Sequence, residues 1–156
     1  VYMRRTGEKQ IEVYLQEKVG GVFCIVDFDD FKQINDTYGH IVGDKVLANL
    51  AECMKQIVQN NDVLMRLGGD EFGIFLPYVT NLEEAKEKIQ RLFNQVRDCR
   101  VGEKESIRLS ISLGGIIVDK GVESNYETLY RKSDRLLYEV KKQGKCNWLV
   151  EKMTED

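Results

Sequence analysis

The chain has 156 residues, enough for one domain with a proper core, and 42% apolar and 31% charged content with a single Pro fits a globular α/β or α+β protein. A net charge of −3 and a pI of about 5.4 argue against nucleic-acid or anionic-membrane binding, which want a basic face, but leave room for a phosphorylated ligand whose charge a metal offsets. No apolar run approaches the roughly 20 residues that span a bilayer, and no signal peptide is present, so a cytoplasmic domain without membrane contact is expected. Cys24, Cys53, Cys99 and Cys146 are scattered without a C-x-x-C pair and read as four reduced thiols, and the lone His40 cannot build a zinc site.

In chain order, residues 6–18 place Ile11, Tyr14 and Leu15 at helical spacing, and Gly20-Gly21 stops that helix. Residues 22–26 form an apolar run too continuous for a half-exposed strand, so a buried central strand is predicted, delivering Asp27 at its end. A short helix over 29–38 ends at Gly39. A longer one, about 43–58, carries Val46, Leu47, Leu50, Ala51 and Met54 on one stripe. Strands at 63–67 and 71–76, stopped by Pro77, read as a hairpin in which Gly68-Gly69 supply positive φ. Residues 81–98 are a third long helix, capped by Asn81 with Glu83 and Glu84 in its first turn. A polar connector at 101–105 precedes a strand of period two (Ile107, Leu109, Ile111, Leu113), which Gly114-Gly115 interrupt before Ile116-Ile117-Val118. A last helix over 126–142 stops at Gly144, and 147–150 is a final short strand. The order α β α α β β α β α β predicts an α+β sandwich on a mainly antiparallel sheet, with Asp27 and the hairpin tip at one edge.

That edge is where chemistry is expected. An acid closing a buried strand is costly unless it is paired or metal-bound. Beside Asp70 and Glu71 at the hairpin tip, Asp27 outlines a divalent-cation site next to a phosphate. The helix start after Asp29-Asp30 offers backbone N–H groups to a phosphate. Asn35 and Asp44 suit hydrogen bonds to a base, a carboxylate matching guanine's ring N–H and amine, and they equally suit turn and helix-start chemistry. Lys141 and Lys145 reach phosphates only if the end of the last helix returns to the hairpin tip; Lys142 reads as dipole complementation.

Together, the stretch from Asp27 to Asp44, the run Arg66-Leu67-Gly68-Gly69-Asp70-Glu71-Phe72, and the segments Ser112-Leu113-Gly114 and Ser133 to Lys141 resemble the GGDEF-domain diguanylate cyclases. The resemblance covers nearly the whole chain, in order. It implies a single domain over 1–156, excised from a longer multidomain signalling protein with room for a membrane anchor, with a palm-like, nucleotidyl cyclase-like sheet of about five strands. It implies condensation of two GTP into cyclic di-GMP and two pyrophosphates by a homodimer, using two Mg²⁺ (or Mn²⁺) per site. By the same resemblance Asp27, the Phe28 carbonyl, Asp70 and Glu71 hold metal, with Asp70 a possible base; Gly68 and Gly69 admit the nucleotide; Phe31 contributes to its pocket; Asn35 and Asp44 read guanine; and Lys32, Lys141 and Lys145 touch phosphates. The family's inhibitory Arg-x-x-Asp slot is occupied here by Gln59 through Asp62, so weak or absent product inhibition is expected. A GTP-binding regulatory module without turnover is the alternative, and another nucleotidyltransferase on the same kind of sheet a more distant one.

Overall fold

The computed structural model describes residues 1–101 and 107–154. In chain order the elements are β1 (Tyr2–Met3), α1 (Arg4–Gln16), β2 (Gly21–Phe28), α2 (Phe31–Tyr38), α3 (His40–Lys55), β3 (Val63–Arg66) and β4 (Glu71–Pro77). There follow α4 (Leu82–Asp98), β5 (Arg100–Val101), β6 (Ile107–Arg108), β7 (Ile111–Val118), α5 (Tyr126–Lys142) and β8 (Trp148–Lys152). Six strands form one sheet in the order β1-β3-β4-β2-β7-β8. The β2–β4, β2–β7 and β3–β4 pairs are antiparallel, and the two outer pairs, β1–β3 and β7–β8, are parallel.

Every residue of β2 is buried because both faces of the sheet are covered. Val22, Cys24, Val26 and Phe28 point into a core with Val46, Leu47 and Leu50 of α3 and Ala85, Ile89 and Leu92 of α4. The alternate residues Phe23 and Ile25 point the other way, onto Ile11 and Leu15 of α1 and Leu129, Leu136 and Leu137 of α5. Period-two geometry thus sorts one continuous apolar run into two cores. Among the described residues no helix is long and apolar enough to cross a membrane.

The predicted long helices and the hairpin are observed. Asn81 caps α4 by accepting from the Glu84 amide, and Asn125 caps α5 by accepting from Thr128. The sheet has six strands rather than about five, because two residues at the N-terminus pair with β3. The connector expected at 101–105 lies, beyond Val101, outside the described residues.

Three expectations need correction. Gly114-Gly115 do not interrupt a strand: β7 runs through them. The missing side chain is needed for packing, since a Cβ at Gly114 would lie 2.4 Å from both the Leu137 amide nitrogen and the Ser133 carbonyl oxygen of α5. Gly68 and Gly69 do not take positive φ, and their empty Cβ directions face open space. Nor are all four cysteines reduced: Cys53 and Cys99, separated by 46 positions, form a disulfide with Cα atoms 7.0 Å apart, where the ends of α3 and α4 meet. Cys24 and Cys146 are free thiols.

Gly114→Ala should therefore destabilise the domain by about 2–3 kcal/mol, because the clashing atoms are helix backbone rather than a movable side chain. Urea denaturation followed by circular dichroism measures this.

Candidate active site

Asp27 is the penultimate residue of β2, and its cross-strand partners are Glu71 on β4 and Ser112 on β7. Directly paired antiparallel residues project from the same face, so Asp27 and Glu71 stand side by side toward α5. The hairpin tip is drawn in by main-chain bonds: the Phe28 amide donates to the Asp70 carbonyl at 3.0 Å, and the Leu67 amide to the Glu71 carbonyl at 2.9 Å. Arg66 folds back over the turn, Nε donating to the Gly68 carbonyl at 3.1 Å and Nη2 to the Gly69 carbonyl at 2.7 Å.

An open cleft of about 320 Å³ results, lined by Asp27, Phe28, Asp29, Asp30, Phe31, Lys32, Asp70, Lys141 and Lys145. The end of α5 does return to the hairpin tip. Lys141 forms an ion pair with the Asp27 carboxylate, and Lys145 Nζ lies 2.8 Å from Asp30 Oδ1. Phe31 packs edge-on against Phe28, ring centroids 5.5 Å apart, and Lys32 is exposed at the rim. Helix α2 begins at Phe31, two residues later than expected, after Asp30 in left-handed conformation at φ 57°. The Asp30 side chain does not cap the helix but turns to Lys145.

Glu71 stands behind the cleft lining, where its Oε1 accepts from the Tyr130 hydroxyl at 3.2 Å. The Arg4 guanidinium covers the Tyr130 ring, 5.5 Å from its centroid. Asn35 and Asp44 sit along the neighbouring α2–α3 pair. Asn35 leans over Gly43, where a Cβ would come 1.8 Å from its Oδ1. That oxygen is buried without a hydrogen-bond partner among the described residues. Asp44, the next residue, is exposed. Gln59 and Asp62 stand apart from the acidic cleft, in a turn closed on itself: the Gln59 amide donates to Asp62 Oδ2 at 2.8 Å.

Asp29 is a site residue that the sequence reading treated only as a helix start. Only 7% exposed, it accepts from Ser110 Oγ at 2.7 Å, Ser112 Oγ at 2.6 Å and the Cys146 amide at 3.0 Å. It thereby ties the end of β2 to β7 and to the left-handed turn at Lys145-Cys146. The available signal was the pair of serines two apart in an apolar strand. Tyr130 was missed as well; nothing in the local pattern marks an aromatic on α5 as a carboxylate partner.

Burial raises the Asp27 carboxyl above its ordinary range; the Lys141 hydrogen bond opposes this and the neighbouring Asp70 charge adds to it. Burial likewise raises Glu71, against the Tyr130 hydrogen bond, with Asp27 and Asp134 adding to the rise. Burial alone would lower Lys141, but its pairing with Asp27 and the fields of Glu71 and Asp70 outweigh that and raise it. Among the described residues no three Asp, Glu, His or Cys side chains converge on a protein-only metal cage. The oxygens that could hold a cation are the carboxylates of Asp27 and Asp70 with the Phe28 carbonyl beside them. That all-oxygen set fits Mg²⁺, which is commonly held through one or two carboxylates together with substrate phosphates.

The family model for the diguanylate cyclase GGDEF domain matches residues 1–147. The chain is 34% identical over 139 residues to diguanylate cyclase DgcP of Pseudomonas aeruginosa, covering 86% of this chain and 20% of that protein. It is 32% identical over 150 residues to the uncharacterized protein YtrP of Bacillus subtilis, covering 96% and 25%. The chain therefore spans a quarter or less of the length of these two relatives. Among solved structures, diguanylate cyclase SiaD of Pseudomonas aeruginosa, in complex with its activator SiaC, superposes with a TM-score of 0.88 at 28% identity over 96% of this chain and 58% of that one.

An acid whose folded pKa is raised weighs against stability once it ionises, so the folded state loses ground as pH rises through that pKa. Glu71→Gln keeps an acceptor for Tyr130 without the buried charge. Its thermal midpoint should exceed that of the parent by about 2 °C at pH 7, and the difference should vanish near pH 4, as read by scanning calorimetry at both pH values.

Proposed function

Because the chain belongs to the GGDEF domain family, we propose that it is a diguanylate cyclase domain, condensing two GTP into cyclic di-GMP and two pyrophosphates. The observation that carries this reading is the Asp27–Glu71 register, with Asp70 bonded through its main chain to the end of β2. It supports the reading by bringing Asp27 and Asp70 to one cleft, with Glu71 behind its lining, against the lysines of α5 and the loop that follows it.

Mg²⁺, or Mn²⁺, would be held by Asp27, Asp70 and the Phe28 carbonyl with Glu71 behind, two ions per site with nucleotide bound, and supplies the positive charge that offsets the phosphates. The remaining work falls to the chain's own groups. Asn35 offers its side-chain amide, and Asp44 its exposed carboxylate, to the edge of guanine. Phe31 closes one side of the nucleotide pocket, and Gly68 and Gly69 leave room for the sugar and phosphates at the tip. Lys32, Lys141 and Lys145, with the uncapped start of α2, hold phosphate oxygens. Each protomer presents one GTP to the other in a homodimer. The 3′-oxygen of one nucleotide bonds to the α-phosphorus of the other as the bond to pyrophosphate breaks, and the 3′-proton passes to Asp70. Orientation and preorganised charge lower the barrier.

Incubated with GTP and Mg²⁺, the protein should yield cyclic di-GMP by mass spectrometry. Asp70→Ala should cut the rate about 100-fold or more. A protein that binds a non-hydrolysable GTP analogue by calorimetry, yet yields no product even in an enforced dimer, would instead be a regulatory GTP-binding module.

Product inhibition is the second point of test. Gln59 is uncharged and cannot make a bidentate phosphate contact. Added cyclic di-GMP should leave the initial rate of the parent nearly unchanged, whereas Gln59→Arg should lower the inhibitory concentration about tenfold, one charge-assisted pair being worth about 1.5 kcal/mol.

A further inference from the structure

Asp27 is not waiting for a cation; it has one. Of the other acids in the cleft, Asp29 is satisfied by two serine hydroxyls and a main-chain amide, and Asp30 by Lys145. Asp27, with a side chain only 12% exposed, is paired with Lys141, whose own side chain remains 40% exposed and free to swing. Lys141 holds one Asp27 oxygen, Oδ2, and a divalent ion on the same carboxylate repels the ammonium beside it. A metal on Asp27 therefore weakens the Lys141 pair, and the ammonium gains from a new anion.

We propose that Lys141 is a resident counter-ion for Asp27 that a divalent cation and a nucleoside triphosphate displace together, so that Lys141 makes their binding mutually dependent. The inference rests on the assignment of Asp27 as a metal-binding carboxylate. Metal alone repels the ammonium of Lys141 and weakens its pair with Asp27 without offering it another anion. Nucleotide alone meets a cleft in which Asp27 and Asp70 repel it and Lys141 is already engaged. Bound together, the metal takes Asp27 and the phosphates take Lys141, so both displaced charges are paired again. By linkage the triphosphate tightens the metal by the same factor as the metal tightens the triphosphate. Lys141 is thus a phosphate-contacting residue whose resting partner sets the metal threshold of the site.

The test uses the full chain with Mn²⁺ as probe, free ion being read by electron paramagnetic resonance, with and without a non-hydrolysable GTP analogue. The parent should bind Mn²⁺ weakly alone and about tenfold tighter with the analogue, a factor within the usual range of coupling between sites. Lys141→Met should bind Mn²⁺ about fivefold tighter than the parent without nucleotide, and should lose most of the enhancement by the analogue. Lys141→Arg, which keeps the charge, should behave like the parent. Nucleotide-free affinity in Lys141→Met that is equal to or below the parent's overturns the inference, provided far-UV spectra match; Lys141→Gln repeats the measurement with a polar replacement and must agree. Asp27→Asn separates the two levels: Mn²⁺ binding that survives it removes the metal assignment itself, whereas binding lost there and unchanged in Lys141→Met removes only the counter-ion role.

Discussion

A carboxylate placed at the end of a strand buried on both faces must find positive charge. Asp27 sits in that position because β2 is the middle of the sheet, hydrogen-bonded on both edges and packed on both sides. Taking the acid out of water raises its pKa, and the structure answers with Lys141 from the far end of the chain. The seating of α5, driven by its apolar stripe and dependent on the bare backbone of Gly114, is what brings Lys141 within reach.

Burial makes the ionised forms of Asp27 and Glu71 costly to the fold. It raises the proton affinity of both, and the Asp70 charge adds to the rise at Asp27 as the Asp27 charge does at Glu71, a pattern common at functional sites and also found in structural ion-pair networks. Asp29 shows the contrasting solution. It is equally buried, but three donors surround it, so it serves as a rivet between β2, β7 and the turn carrying Lys145 rather than as a free ligand.

Most of the fold was legible in the sequence where a single element carried its own period. The stripes of α4 and α5, the uninterrupted apolar run of β2 and the hairpin around Gly68-Gly69 all came from local spacing. What escaped was decided between elements. The two residues of β1 carry no period and owe their strand to β3. Gly114 reads as a strand breaker until the helix above it is placed. Cys53 and Cys99 meet because α3 and α4 share a sheet face, which no spacing rule encodes. In the site, an acid closing a buried strand pointed Asp27 toward the hairpin acids, and Lys141 and Lys145 were expected there only if the end of α5 returned to the tip, whereas the Tyr130–Glu71 contact depends on how α5 is seated.

That contact reaches further than the cleft. Tyr130 holds Glu71 while lying beneath Arg4, and Arg4 also donates through Nη1 to the Leu67 carbonyl, 3.5 Å away, at the base of the turn. The first turn of α1 therefore braces the hairpin from below, and the aim of an acidic side chain is only as steady as the seating of that helix. A fragment trimmed to begin at β2 would keep Asp27, Asp70 and Glu71 and lose the buttress that Arg4 supplies.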